Sequence, residues 1–135
     1  MSNTNSLLAE LAWRGLLYQH TEPLDAALSA GMVTGYCGFD PTAASLHVGN
    51  LVPVMGLTHM QRAGHRPVVL IGGGTGMIGD PSGKTAERQL NTPETVEANS
   101  RAIQRQLERF LEFGEPRGGI MRDNAERIYP LAQES

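Results

Sequence analysis

A polar segment that contains one histidine lies between an expected strand and an expected helix; residues 36–50 read YCGFDPTAASLHVGN. The aromatic residues at the start of this segment favour a strand, and we expect Gly38 and then Asp40-Pro41 to break it. Apolar residues recur at helical spacing from Leu51 onward. We therefore expect His47 at or within one turn of a helix N-terminus, facing the same cleft as Thr42.

This expected helix end has the chemistry of a phosphate site. The first N–H groups of a helix lack intrahelical partners and carry a partial positive charge, which favours an anion. Thr42 and His47 would add side-chain donors, and Gly49 would let another group approach the backbone closely. A lone histidine is more often an ordinary residue, so the argument depends on the position of His47 at a strand-to-helix turn.

A glycine-rich segment is the second candidate; residues 72–88 read GGGTGMIGDPSGKTAER, and three interpretations compete for them. Residues 74–79 match the G-x-G-x-x-G pattern of dinucleotide sites, but the sequence DPSG at residues 80–83 prevents the helix that this fold requires there. Residues 83–85 resemble the end of a P-loop, but Ile78 stands where that motif needs glycine. Both of these interpretations are disfavoured.

The third interpretation assigns two functions to the same segment. Thr75 and Asp80 would face an amino-acid substrate, because a carboxylate is the natural partner of an ammonium group. Lys84 and Arg88 would reach for a polyphosphate. Spacing alone favours a plain Asp-Pro turn and a solvated loop for these residues. In either case we expect residues 79–83 to be non-helical and Lys84 to be exposed to solvent.

The elements that must position both segments alternate between helix and strand. Their order, β-α-β-α-β after two short helices, predicts a parallel sheet with right-handed crossovers and flanking helices, an incomplete Rossmann-like nucleotide-binding fold. Pro53 would lie past the first turn of its helix and bend it. The expected helices cover residues 5–17, 21–31, 46–63 and 92–114, the last with a core stripe of Val96, Ile103, Leu107, Phe110 and Leu111, and the expected strands cover residues 33–37, 67–71 and 120–121.

Composition limits the remaining possibilities. The 135 residues allow one domain or a piece of one, and a net charge of −3 gives no basic footprint for nucleic acid. The single cysteine, Cys37, permits no intramolecular disulfide and fits a reducing cytoplasm. We expect no membrane span, since there is no 18-residue apolar stretch. We also expect no metal site, and His20, His59 and His65 should be ordinary surface or helix residues.

Residues 36–50 and 72–88 together resemble the class I aminoacyl-tRNA synthetases, and most closely the bacterial tyrosyl-tRNA synthetase family. The first segment resembles the His-x-Gly-His signature and the Tyr-Cys-Gly-Phe-Asp-Pro-Thr-Ala sequence before it, and the second resembles the family's next landmark. The resemblance extends from about residue 7 to about residue 131. Asn50 departs from the signature's second histidine; it keeps a donor and an acceptor but cannot carry charge.

The resemblance implies roles for individual residues. Thr42, His47, Lys84 and Arg88 would be catalytic, stabilising the departing pyrophosphate. Tyr36 would direct its phenol towards the hydroxyl of a tyrosine substrate, the alternative being a half-buried strand tyrosine. Thr75 and Asp80 would hold the α-ammonium group of that substrate, and Cys37 would lie near the ribose of ATP. The ATP-binding residues would be Cys37, Gly38, Asp40, His47, Gly49 and Asn50.

The implied activity is that of a tyrosine–tRNA ligase, with ATP as a substrate, Mg²⁺ accompanying it, and tRNA as a partner of the complete enzyme. The family is homodimeric, and the sequence leaves the oligomeric state of this chain open. The chain would be the amino-terminal part of the catalytic domain. It contains nothing like the family's Lys-Met-Ser-Lys-Ser loop or its anticodon-binding region. The alternative is a non-catalytic half-fold that binds ATP or a partner, and the sequence does not decide whether the isolated chain is active.

Overall fold

In the part of the chain that the structure describes, three parallel strands form a sheet, with helices along the chain between them. The computed structural model describes residues 7–72, 91–114 and 119–122. Within these residues the helices are α1 (Leu7–Trp13), α2 (Pro23–Ala30), α3 (Leu51–Arg62) and α4 (Pro93–Leu107), and the strands are β1 (Thr34–Phe39), β2 (Arg66–Ile71) and β3 (Gly119–Arg122). A 3-10 turn at Val48–Asn50 leads directly into α3. The expected α/β class and parallel sheet are confirmed.

The strand register places the ends of neighbouring strands side by side. β2 lies between β1 and β3 and runs parallel to both. Phe39, the last residue of β1, pairs with Ile71, the last residue of β2. The Gly72 N–H then donates to the Phe39 carbonyl at 3.0 Å, so the pairing continues one step further. The segments that follow β1 and β2 therefore start next to each other at the carboxyl edge of the sheet.

The core lies on one face of this sheet. Alternate residues of β2 are buried, and their neighbours on the other face are half-buried. The same alternation along β1 buries Phe39 and leaves Tyr36 54% exposed. α3 and α4 supply the other side of the core, since apolar side chains from both helices join the strand residues in one cluster. Its buried members are Phe39, Val54, Leu57, Val69, Ile71, Ile103, Leu107 and Leu111.

Local sequence signals explain most of the element boundaries. Pro23 and Pro93 each occupy the first turn of a helix, where a missing N–H has no cost. The Thr92 hydroxyl accepts the Thr95 N–H at 3.2 Å and caps α4. Gly15 has a φ of 69°, a left-handed conformation that glycine adopts readily, and it follows the end of α1.

Four expectations about the helices were wrong, and the first concerns α1, which ends at Trp13 and not at residue 17. α3 begins at Leu51 rather than at residue 46, because the preceding residues form a turn and a 3-10 segment. Pro53 therefore lies in the first turn of α3, where it is tolerated and needs no bend. α4 ends at Leu107, and Phe110 is 41% exposed, so it lies outside the core that the stripe predicted for it.

The two histidines near the end of α3 are buried, which corrects the expectation of surface positions for His65 in particular. The Val33 N–H donates to the His65 Nδ1 atom at 3.3 Å, so this ring ties the start of β1 to the start of β2. The His59 Nδ1 atom lies 3.9 Å from the Glu10 carboxylate of α1. Both rings have structural contacts, and His20 is exposed as expected.

Candidate nucleotide site

The candidate site begins where β1 ends. Asp40 and Pro41 leave the strand, and a loop of bends carries the chain to His47. In parallel sheets with helical connections, ligands bind outside the carboxyl ends of the strands, where such loops meet. We call residues 40–47 the β1 loop. It lies at the correct edge of the sheet for a nucleotide site.

His47 caps the 3-10 turn and holds its own ring in place. The Gly49 N–H donates to the His47 Nδ1 atom at 3.1 Å, and the His47 N–H donates to the Asn50 Oδ1 atom at 3.1 Å. These reciprocal bonds have the logic of a capping box. The expectation that His47 lies at a helix N-terminus is confirmed.

These bonds correct one expectation about the helix end. The N–H groups of Gly49, Asn50 and Leu51 all have acceptors within the chain, namely the His47 ring, the His47 carbonyl and the Val48 carbonyl. These three N–H groups are therefore not unpaired donors for a phosphate. The His47 side chain supplies a further donor, because an Nδ1 atom that accepts a hydrogen bond leaves the neutral ring's proton on Nε2. The exposed His47 ring presents this donor.

The lack of a side chain at Gly49 leaves room for the His47 ring. A Cβ atom on Gly49 would lie 3.0 Å from both the Cε1 and Nδ1 atoms of the His47 ring. The group that approaches this backbone closely is therefore the ring of His47 itself. Gly38 near the end of β1 differs, because a Cβ atom there would meet none of the described residues within 4 Å. Open space above Gly38 fits a ligand that lies against β1.

The two other candidate residues on β1 point to opposite faces of the sheet. Tyr36 is 54% exposed on the face away from the core. Cys37 packs against the core cluster, and its thiol donates a weak hydrogen bond of 3.8 Å to the Gly38 carbonyl. Burial raises the pKa of the Cys37 thiol above its ordinary value. The protonated thiol is a poor nucleophile, so Cys37 is suited to contact rather than to covalent chemistry.

Two residues of α4 that the sequence did not single out contact the β1 loop. The Asn99 side chain, which is buried, donates from Nδ2 to the Pro41 carbonyl at 3.0 Å. The Gln106 side chain accepts the Leu46 N–H at 2.9 Å and donates to the Ser45 hydroxyl at 3.0 Å. Their spacing of seven residues places both on one side of the helix, which was the only sequence signal available.

A cleft of about 230 Å³ opens beside His47, between the start of α3 and the end of α4. Its walls are mainly apolar, and Val48, which is 82% exposed, stands at its edge. Thr42 is half-buried in the β1 loop, and a shared cleft for Thr42 and His47 stays a prediction. The lining residues are Leu46, His47, Val48, Leu51, Val54, Gln106, Leu107, Arg109 and Phe110.

The predicted substrate-binding residues of the glycine-rich segment, Thr75, Asp80, Lys84 and Arg88, lie outside the described residues. The expectations of a non-helical stretch at residues 79–83 and of an exposed Lys84 lie outside them too. Among residues 7–72, 91–114 and 119–122, no group of three or more His, Cys, Asp or Glu side chains could hold a metal ion. No helix in this part of the chain is long and apolar enough to cross a membrane.

Comparison with known families decides what this arrangement belongs to. A protein-family model described as tRNA synthetases class I (W and Y) matches residues 29–127, which include β1, the β1 loop and α4. The chain belongs to this family. It is 51% identical over 131 residues to a tyrosine–tRNA ligase of Staphylococcus haemolyticus, covering 96% of this chain and 31% of that ligase. It is 59% identical over 110 residues to a tyrosine–tRNA ligase of Desulfosudis oleivorans, covering 80% of this chain and 25% of that ligase.

Solved structures agree with the family assignment. A C-terminally truncated mitochondrial tyrosyl-tRNA synthetase of Coccidioides posadasii matches with a TM-score of 0.69 and 30% identity, covering 98% of this chain and 39% of that one. A corresponding structure from Aspergillus nidulans has a TM-score of 0.72 at 24% identity, which supports the fold. The chain thus spans about a third or less of the curated ligases that it matches.

Proposed function

We propose that this chain carries part of the active site of a tyrosine–tRNA ligase and that it corresponds to the amino-terminal part of the catalytic domain. The single observation that supports this most is the edge of the sheet: β1 and β2 end in register, so the β1 loop and the glycine-rich segment start side by side. Two polar segments at one carboxyl edge suit a substrate that joins an amino acid to a nucleotide.

The reaction would activate tyrosine. A carboxylate oxygen of tyrosine attacks the α-phosphorus of ATP, a C–O–P link forms, and the bond from that phosphorus to the bridging oxygen of pyrophosphate breaks. The tyrosyl group then passes to tRNA. Such a displacement depends on positioning and on stabilising charge rather than on a covalent enzyme intermediate.

His47 would act on the leaving pyrophosphate. Its Nδ1 atom accepts a hydrogen bond from the Gly49 N–H, so its Nε2–H is the donor available to a phosphate oxygen. The hydroxyl of Thr42 would donate from the same loop, and Lys84 and Arg88 would add positive charge. A preorganised donor of this kind lowers the barrier because it does not have to reorganise during the reaction.

The rest of the ATP would lie along β1. Gly38 gives it open backbone, Asn50 would offer its amide to the sugar while its Oδ1 atom holds the His47 N–H, and Cys37 would come near the ribose only as the resemblance implies, since its thiol packs on the core face. Mg²⁺ would arrive with ATP. Asp40 is an exposed carboxylate in the β1 loop, and a magnesium ion bound by few protein ligands usually takes substrate phosphates for the rest.

Tyrosine would lie on the exposed face of β1. The Tyr36 side chain is half-exposed there, and its phenol would meet the hydroxyl of the substrate. Thr75 and Asp80 would hold the ammonium group. A site that leaves a polar group unpaired when the hydroxyl is missing discriminates against phenylalanine. We further propose that the complete enzyme binds tRNA and forms a homodimer, as the resemblance implies.

The test is tyrosine-dependent ATP–pyrophosphate exchange by this chain mixed with the remaining part of the Staphylococcus haemolyticus ligase. We expect the mixture to exchange label with tyrosine and not with phenylalanine. The variant His47→Ala should lower the rate about a hundredfold or more, as the loss of one charge-stabilising donor does elsewhere. The variant His20→Ala, which removes an exposed histidine remote from the β1 loop in sequence, is the matched control and should exchange normally.

A second candidate is a half-fold that binds ATP without catalysis. ATP binding by the chain, combined with no exchange in a mixture whose parts are folded and associated, would support this second candidate and contradict the ligase proposal.

A further inference from the structure

We infer that Asn99 and Gln106 are positioning residues for the nucleotide site: from one side of α4 they clamp the two ends of the β1 loop and thereby set the His47 ring. This inference rests on the proposed function for its relevance to ATP. The clamp itself is a structural claim with its own measurements.

The first contact fixes the start of the loop. The buried Asn99 amide donates to the Pro41 carbonyl at 3.0 Å, and the Pro41 side chain is fully buried. A buried carbonyl without a donor is costly, so this bond determines the direction in which the loop leaves β1. The contact joins residues 58 positions apart in the chain.

The second contact fixes the end of the loop, directly before His47. Gln106 accepts the Leu46 N–H and donates to the Ser45 hydroxyl, and that hydroxyl donates to the Leu46 carbonyl at 3.0 Å. One amide thus engages both peptide groups of Leu46, one directly and one through Ser45. The backbone directly before His47 is therefore held at both the N–H and the carbonyl group of Leu46.

The helix that carries these amides is itself anchored. Ile103, between Asn99 and Gln106 on α4, is 1% exposed, and Leu107, beside Gln106, is 1% exposed as well. Both belong to the core cluster together with Phe39, the last residue of β1. Seven residues correspond to about 10 Å of helix. The anchored helix therefore holds Asn99 and Gln106 at a fixed separation, and through them it connects the end of β1 to the turn at His47.

The consequence concerns the state of the His47 ring. Its Nδ1 atom can accept the Gly49 N–H only while residues 46–50 keep their present geometry. Releasing the Leu46 N–H from Gln106 allows the ring to leave this bond. The Nε2 proton then no longer has a fixed direction.

Nuclear magnetic resonance of the 135-residue chain tests the clamp without any substrate. The variant Gln106→Met keeps the size of the side chain and removes both hydrogen bonds. We expect the Leu46 amide proton to exchange with solvent about tenfold faster, and the His47 ring ¹⁵N shifts to move away from the pattern of a single Nε2-protonated tautomer. Gln106→Glu, which keeps an acceptor for the Leu46 N–H, should restore slow exchange.

The matched control is Gln104→Met on the same helix. The Gln104 amide donates to Glu108 within α4 at 3.0 Å. This variant should leave the Leu46 exchange rate and the His47 shifts unchanged. If Gln106→Met and Gln104→Met behave alike in both measurements, the clamp is wrong. If Gln106→Met does not fold, the Asn99→Ser variant still tests the contact at the start of the β1 loop. The Gln106→Glu variant still tests the contact at its end.

Titration with ATP then separates this inference from the proposed function. If the wild-type chain binds ATP, Gln106→Met should raise the dissociation constant about tenfold, and Gln104→Met should not. If the wild-type chain binds no ATP while the exchange and ring signals follow the clamp, the proposed function fails and the clamp stands. A raised dissociation constant with unchanged Leu46 and His47 signals would contradict the clamp, because Gln106 would then act by another route.

Discussion

At the residue scale, the histidine and the glycine of the signature depend on each other. The His47 ring lies over the Gly49 N–H, and a Cβ atom on residue 49 would crowd the ring in this position. Asn50, which departs from the family signature, accepts the His47 N–H through its side chain. A neutral acceptor is sufficient for this bond, so the structure gives Asn50 a role that needs no charge.

The variant Gly49→Ala should displace the His47 ring. The added Cβ atom would lie 3.0 Å from two ring atoms, and the exposed ring must shift by a few tenths of an ångström to relieve this contact, which weakens its hydrogen bond. We expect a loss of about 1 kcal/mol in stability and a change in the ring ¹⁵N shifts. The control is Gly56→Ala inside α3, where the new methyl group meets nothing within 4 Å and should stabilise the helix by up to about 1 kcal/mol. Equal effects of the two substitutions would refute the steric argument.

The Cys37 thiol makes a pH-dependent contribution to stability. Burial raises the pKa of Cys37 above its ordinary value of 9.0, so the unfolded chain loses this proton at a lower pH than the folded chain does. The contribution is therefore complete below pH 9.0 and declines as the pH rises through the folded-state pKa. We expect the difference in unfolding free energy between the wild type and Cys37→Ala to shrink above pH 9. A difference that stays constant to pH 11 would show that the thiol titrates normally.

At the element scale, the parts of the fold with strong local signals were predictable and the long-range contacts were not. Pro23, Thr92-Pro93 and the apolar run of β2 each indicate their element locally, and all three elements appear. The start of α3 was misjudged because apolar spacing does not reveal that His47 and Asn50 cap a separate 3-10 turn. Gln106 was missed because its partners lie 60 and 61 residues away in the chain.

The cap of α4 should matter for the whole loop that this helix supports. Thr92→Ala removes the acceptor of the Thr95 N–H and should destabilise the chain by about 1 kcal/mol. Thr92→Ser keeps an acceptor and is the control, and it should lower the stability by no more than a few tenths of a kcal/mol. Denaturant midpoints measure both. Indistinguishable midpoints for the alanine variant and the wild type would mean that the hydroxyl contributes no net stability.

At the scale of the whole molecule, the sheet is covered unequally. One face carries the core, and the other leaves Tyr36 54% exposed beside half-buried residues of β2. A continuous apolar run such as that of β2 is typical of a strand covered on both faces, whereas in the described part of the chain one face is buried and the other is half-buried. The proposed tyrosine site would lie on this exposed face, so the described residues would supply only part of the surroundings of the proposed substrate.

The 135-residue chain alone should therefore bind ATP weakly and show little or no tyrosine-dependent exchange. Each charge-stabilising donor in a site of this kind is worth roughly 3 kcal/mol, and about 1.4 kcal/mol is a factor of ten in rate. His47 and Thr42 are present, whereas nothing in the 135 residues resembles the Lys-Met-Ser-Lys-Ser loop. Losing two or three donors lowers the rate by four to six powers of ten on the same approximate scale.

Purified chain is assayed alone and with the remaining part of a related ligase. Robust exchange by the chain alone would overturn this argument. Exchange that appears only on mixing would mean that the chain supplies the pyrophosphate contacts while the added part of the ligase supplies the other contacts that the reaction needs.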